Sequence, residues 1–344
     1  MADRPNDAEL TGVELTHERE ITSRVDLCLP DGRLNPDAVG WTRQPLHRAN
    51  LRGWGRNKRF EYWCVTTPTH LVAVNVSHAD YRATYAAFFL DFATDRTVQI
   101  AERSLLPLGT PMPATSGESG VRARGRSIAL GFDETPQGTR LRARSARLSV
   151  DLLVDRPAGH ESLGVVVPWN DRLFQYTRKD NCLRAQGRVV ADGQAYEFDP
   201  DTAYATLDHG RGRWPYSIVW NWGAASGRCG GREIGLQFGG RWTVGTGMTE
   251  NAIRVDGRLH KIGEELRWYY DAHDWLAPWR VVGSRVDLTF TPFHDRAAYS
   301  SWLVVESDEH QVFGRYSGHV VTDEGERVPV DGLLGWAEEV RRRW

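Results

Sequence analysis

Residues 60–66 read FEYWCVT, Pro68 interrupts, and residues 71–76 read LVAVNV. Both runs are short and rich in β-branched and aromatic residues. A proline between them keeps one from continuing into the other, so they are read as consecutive strands. Outward from this pair the same style repeats. Residues 81–92 form a longer aromatic run, Asp95-Arg96 turns the chain, and residues 98–103 follow. Residues 124–154 hold further runs at close spacing, a meander of hairpins. In the second half, residues 184–190 and 194–198 flank Ala191-Asp192-Gly193, and residues 252–255 and 258–261 flank Asp256-Gly257, a type I′ turn signal. Strands are also expected at 233–238, 266–270, 279–282, 285–292, 312–321 and 327–330. Two stretches alone suggest helices, 202–207 and 333–342. Strands this frequent, separated by turn residues, predict an all-β protein with few helices, of sandwich or up-and-down barrel type.

The chain has 344 residues, more than the roughly 100–200 of one typical domain. Nearly equal runs of strands lie on either side of residues 157–170. The expectation is two antiparallel β-barrels in tandem, residues 27–165 and 166–344, after an N-terminal extension of residues 1–26. Residues 105–120 (LLPLGTPMPATSGESG) form a loop. The formal net charge of −2 gives no global basic field for nucleic acid. No apolar run is long enough for a membrane-spanning helix, and the first 24 residues lack the apolar core of a signal peptide. Four well-separated cysteines fit neither a zinc ribbon nor a disulfide scaffold. A cytoplasmic protein without cofactor is expected.

Two compositional features stand out: 14 Trp, and only three lysines among 43 basic residues. The arginine excess is read as genomic background. Tryptophan needs a partner for its N–H when buried, so its placement calls for an explanation. Four of the 14 fall between residues 214 and 242, within a segment that also holds Asp208-His209-Gly210, Trp220-Asn221-Trp222-Gly223, Gln237 and Glu250-Asn251. Tryptophan, histidine, carboxyl and amide side chains gathered on strands and loops suggest a pocket wall. Alternation places Tyr216, Ile218, Trp220 and Trp222 on one strand face and Asn221 on the other. Such a face either fills a wide barrel or lines a ligand cavity in the barrel interior.

Asp208, His209 and Glu250 are the candidate acid–base groups. Histidine titrates near neutrality, and a carboxyl pressed among tryptophans is pushed up toward a proton-donating range. Trp214, Tyr216, Trp220, Asn221, Trp222, Gln237 and Trp242 are the candidate binding residues. Asp271 and His273 would share a strand face, but no third ligand accompanies them, so no metal site is expected. The basic stretch 47–59 is read as a solvated loop. P-loop, dinucleotide and nucleophile-elbow motifs are absent.

Gly32-Arg33-Leu34-Asn35-Pro36, Trp41, Pro45-Leu46-His47, and Lys58-Arg59-Phe60-Glu61-Tyr62-Trp63 resemble the opening of the DUF2804 family. So do Asp208-His209-Gly210-Arg211-Gly212, Trp220-Asn221-Trp222-Gly223, and the stretch Gly245-Thr246-Gly247-Met248-Thr249-Glu250-Asn251. The resemblance spans residues 27–344. More remotely, Trp220-Asn221-Trp222-Gly223 is similar to a motif of the AttH, carotenoid-hydratase and tocopherol-cyclase-like proteins. That likeness implies two lipocalin-like (calycin) barrels and chemistry or carriage of isoprenoid-like lipids. The carotenoid-hydratase type has an Asp two residues before the Asn, where Val219 stands here. The acid would therefore have to come from Asp208 or Glu250.

Three functions fit this reading. The first is an enzyme of hydratase, cyclase or isomerase type, acting by proton addition to a lipophilic small molecule. The second is a carrier of a lipid or pigment. The third is a carbohydrate-active or carbohydrate-binding protein, which would need an open groove with paired carboxylates.

Overall fold

A computed structural model describes residues 15–105, 110–302 and 305–343. Residues 1–14 of the expected extension and 106–109 of the expected loop lie outside the described residues. Among the described residues the one helical element is a single 3-10 turn, Pro36–Ala38, started by Asn35, whose side chain accepts from the Asp37 N–H. All other regular structure among the described residues is strand, and none of their helices is long and apolar enough to cross a membrane. The Asp192-Gly193 and Asp256-Gly257 turns both have positive φ at each residue (44° and 82°, 48° and 86°), as type I′ geometry requires.

The strands form two large antiparallel sheets. The first runs in the order Arg96–Leu105, Arg82–Asp91, His70–Ala79, Asn57–Thr66, Tyr204–Arg213, Phe174–Ala191, Leu148–Asp155, Gly138–Ser145, Ile128–Thr135 and Val121–Arg124. Trp41–Thr42, Leu163–Pro168 and Gln194–Phe198 attach beside it. Its longest strand, Phe174–Ala191, shifts register between Asp180 and Leu183, with Cys182 at φ 61°. A bulge raises local twist. Here it lets one strand pair with Tyr204–Arg213 through its first half and Leu148–Asp155 through its second, curling the sheet over its core.

The second sheet runs Arg258–Ile262, Asn251–Val255, Arg232–Gly240, Ser217–Cys229, Arg327–Arg343, Val305–Val321, Val286–Trp302, Trp279–Val282 and Arg267–Tyr269. Its C-terminal strand fills the centre. The chain passes from the first sheet to the second between Arg213 and Ser217. The division expected at residues 165 and 166 falls within the first sheet, whose strands include Leu163–Pro168 and Phe174–Ala191.

Residues 202–207 and 333–342 are not helices. Residues 202–203 end a turn, 204–207 open the strand Tyr204–Arg213, and 333–342 lie in Arg327–Arg343. Both segments sit in mid-sheet and are buried on both faces, which erases the period-two pattern that marks a half-exposed strand.

Each curled sheet wraps its own core, one including Trp63, Val74, Tyr85 and Phe132, the other Phe238, Trp279, Phe290 and Tyr316. The outer faces also meet. Cys64, Leu71, Ala73, Phe88 and Leu90 of the first sheet pack against Trp222, Ala224, Phe313 and Trp336 of the second. Strand alternation makes this possible: Trp63 and Val65 point inward while Tyr62 and Cys64 point at the other sheet.

Candidate functional site

Beyond that shared core the outer faces separate and enclose a cavity of about 440 Å³. The tryptophan face does not line a barrel interior, as expected from the sequence, but looks across the gap between the sheets. Inside the first half-barrel, a void beside Trp63, Arg178 and Asp180 measures about 10 Å³, room for one water at most.

Strand register arranges the cavity walls in rows. On the first sheet the deep row is Lys179, Asp208, Tyr62, Asn75 and Ala86. The middle row is Thr177, Gly210, Phe60, Ser77, Thr84 and Arg103, and the outer row Gln175, Gly212, Lys58, Ala79 and Arg82. On the second sheet the deep row is Trp222, Glu338, Gln311 and Arg296. Trp220, Val340, Glu309 and Ala298 come next, then Ile218, Arg342, Ser307 and Ser300. The deep rows touch across the gap. Gln311 Nε2 donates to the Tyr62 hydroxyl at 3.2 Å, and Lys179 Nζ sits 4.3 Å from the Trp222 ring centroid.

The deep row concentrates buried charge. Lys179 Nζ lies 2.7 Å from Asp208 Oδ2 and 3.2 Å from Glu250 Oε1. All three side chains are buried. Burial opposes the Lys179 charge, but the two carboxylates outweigh it and hold the ammonium above its usual value. Burial pushes Asp208 up, against the pull of Lys179. Glu250 rises to about 7 because of burial, with the Asp208 charge adding to it and Lys179 opposing. One ammonium cannot neutralise two carboxylates. Asp208 is nearer to it and also accepts the Thr177 hydroxyl at 3.2 Å. The shorter Lys179 contact favours the charge on Asp208, which leaves Glu250, at about 7, as the member of the pair that exchanges a proton near neutrality.

Glu338 is a second buried proton holder. Its carboxyl rises to about 8, driven by burial; the Trp220 N–H bond opposes this, while the Glu309 and Asp208 charges reinforce it. Trp220 Nε1 donates to it at 2.8 Å and Gln311 Nε2 at 3.3 Å. Glycines let the walls close. A Cβ at Gly239 would press on the Glu250 carboxyl at 2.8 Å, and one at Gly210 would run into the Phe60 ring and the Gln175 amide.

Asp208, Glu250, Trp214, Trp220, Trp222 and Trp242 all line the cavity. The indole N–H of Trp214 goes to Gln175 at 2.6 Å and that of Trp222 to Gln237 at 3.0 Å. Trp214 and Trp220 meet edge to face at 5.6 Å. The other candidates are placed elsewhere. His209 alternates with Asp208 and points away, fully buried, its Nδ1 3.2 Å from Glu61. Burial and the neighbouring Arg211 lower it to about 4, despite Glu61, so the imidazole is neutral and out of reach of the cavity. Asn221 faces the second core and donates to the Tyr270 hydroxyl and the Glu338 carbonyl. Gln237 acts behind Trp222. Tyr216 precedes its strand and is 46% exposed, outside the cavity wall. Asp271 and His273 occupy a turn, where the Asp271 carboxylate accepts the His273 backbone N–H. Among the described residues no group of three or more His, Cys, Asp or Glu could hold a metal ion.

Lys179, Glu338, Thr177, Tyr62 and Lys58 line the cavity and were not among the candidate site residues read from the sequence. Their signal was available in one respect. Lysine is rare here, and two of the three lysines face this cavity.

The chain belongs to the DUF2804 family, a domain of unknown function, whose model matches residues 18–344. No curated protein sequence matches it. Solved structures of similar fold include kievitone hydratase from Nectria haematococca, at 10% identity and TM-score 0.52, covering 84% of this chain and 89% of that one. CghA with Sch210972 matches at 12% identity and TM-score 0.51, covering 84% and 89%. At these identities the likeness concerns the fold.

Proposed function

We propose that the chain binds an amphipathic organic molecule between its sheets and acts on it by proton addition, as a hydratase, cyclase or isomerase. The observation that carries this is the pair of buried carboxyls, Glu250 and Glu338, which burial pushes up to about 7 and about 8, in a tryptophan-walled cavity around Lys179 and Asp208. The fold likeness to a hydratase is compatible with it.

In this chemistry a carboxyl O–H adds its proton to one carbon of an alkene. The π electrons move to that new bond and leave a cation on the other carbon. Trp220 and Trp222 face the space where that charge develops, and a cation over an indole gains about 0.5–2 kcal/mol. Water, or a hydroxyl of the same molecule, then attacks the cation, and the proton it sheds returns to the carboxylate. The carbohydrate alternative needs an open groove, whereas here the acids are buried at the deep end.

The test is incubation of the protein with an organic extract of its source cells in D2O, followed by mass spectrometry. The proposal expects one compound to gain deuterium or D2O with the wild type and not with Glu250→Gln or Glu338→Gln. A compound retained by the protein with no deuterium gain supports a carrier instead. Neither retention nor exchange contradicts both.

A further inference from the structure

The carboxyls Asp208, Glu250 and Glu338 lie at the deep end with Lys179, and arginines collect at the other end. Lys58 and Arg82 stand on the outer row of the first sheet, and Arg342 on the outer row of the second, with Arg103 one row in. The outer row lies four residues along the strands from Tyr62 and Asp208, roughly 13 Å at ~3.3 Å per residue. Lys58 is buried, its Nζ 3.8 Å from the Trp214 ring centroid, and burial together with the Arg342 and Arg82 charges, against Glu309, holds it well below its ordinary value. Arg103 is exposed and reaches Ser300 Oγ at 3.3 Å, across the gap. Glu309 sits in this region but is already engaged by Arg342 and by the Ser307 hydroxyl. Among the described residues no carboxylate forms an ion pair with Arg82 or Arg103. Burial and the like charges of Arg103 and Arg342 hold the Arg82 guanidinium below its ordinary value. Like charges brought together at a cavity mouth are unfavourable unless something negative joins them.

We infer that the molecule bound here carries an oxyanion, a carboxylate or a phosphate monoester, gripped at the mouth by Arg82 and Arg103, with Arg342 and the Lys58 amine beside them. Its apolar or aromatic body then extends inward along the tryptophans toward Glu250 and Glu338. Guanidinium groups suit this task because their paired N–H donors match the two oxygens of an oxyanion. The inference rests on the cavity being the ligand site and adds the polarity and orientation of the ligand.

The experiment compares three probes on the full chain by calorimetric titration: 4-(1-pyrenyl)butyrate, the phosphate monoester of 4-(1-pyrenyl)butanol, and the uncharged alcohol itself. At least one anion is expected to bind about tenfold or more tighter than the alcohol, with the tighter anion identifying the oxyanion. The advantage should shrink on raising salt, as screening requires. It should be lost in the Arg82→Gln/Arg103→Gln double variant and kept in Arg82→Lys. Arg82 is partly buried and Arg103 exposed, so unchanged thermal unfolding verifies that the variants fold. Equal binding of all three probes overturns the inference and leaves the cavity reading standing. Anion preference that survives in the double variant also overturns it. Binding of no probe overturns both the inference and the cavity reading.

Discussion

Replacing Glu338 by glutamine should make the protein more stable at high pH. In the unfolded chain this carboxyl ionises near 4.5; in the folded chain it does so only near 8, because it is buried and faces the Glu309 and Asp208 charges. Between those pH values the folded state binds a proton that the unfolded state has lost. Stability therefore falls as pH rises through this window, being fully present below about 4.5 and lost above about 8. At about 1.4 kcal/mol per pH unit, the full loss across the window is on the order of 5 kcal/mol, most of it above pH 5.5. Glutamine has nearly the same shape, keeps an oxygen to accept the Trp220 N–H, and does not titrate. Urea unfolding of wild type and Glu338→Gln at pH 5.5, 7 and 9 tests this. The two should be within about 1 kcal/mol of each other at pH 5.5, where the wild-type carboxyl is protonated. By pH 9 the variant should be the more stable by some ~2–4 kcal/mol. Parallel stability curves across the range would refute the claim that Glu338 is a buried proton holder.

Lys179→Met removes the cation from between Asp208 and Glu250 and should destabilise the fold by ~3–5 kcal/mol at pH 7, with partial recovery below pH 5 as the carboxyls protonate; thermal unfolding at both pH values measures this. Gln237→Leu leaves the buried Trp222 N–H without its acceptor and should cost ~1–3 kcal/mol, read by urea unfolding, with a change in Trp fluorescence. Gly210→Ala forces a Cβ against Phe60 and Gln175 and should cost about 1–3 kcal/mol by overpacking while weakening pyrenylbutyrate binding. His209→Gln should lower stability through the lost Glu61 contact, and the pH dependence of probe binding should stay that of the wild type.

The all-β architecture was legible because most hairpins carry their turn chemistry on the surface: Asp192-Gly193 and Asp256-Gly257 sit where φ must be positive. What misled was burial on both faces. Residues 333–342 lose strand alternation because Trp336 and Val340 face one sheet while Ala337 packs into the core behind. Taking that stretch as a helix hid Glu338, which as a strand residue falls two places from Trp336 and opposite Trp222. Lys179 was hidden for a related reason, since Phe174–Ala191 is buried almost throughout its first half. The Trp220 face was read with the correct alternation, as far as Ile218, Trp220 and Trp222 go. Which surface that face looks at depends on how two sheets dock, and no local pattern encodes that. His209 shows the limit of adjacency: neighbours on a strand point to opposite faces, so Asp208 and His209 could not serve one cavity.

The central claim is that buried carboxyls in this cavity hold protons at neutral pH. Carbon-13 NMR titration of protein labelled at the glutamate side-chain carboxyl measures it most directly. The account predicts one resonance titrating near pH 7 that disappears in Glu250→Gln, and another near pH 8 that disappears in Glu338→Gln. If every glutamate carboxyl titrates below about pH 5.5, the cavity holds no proton donor and the account is wrong.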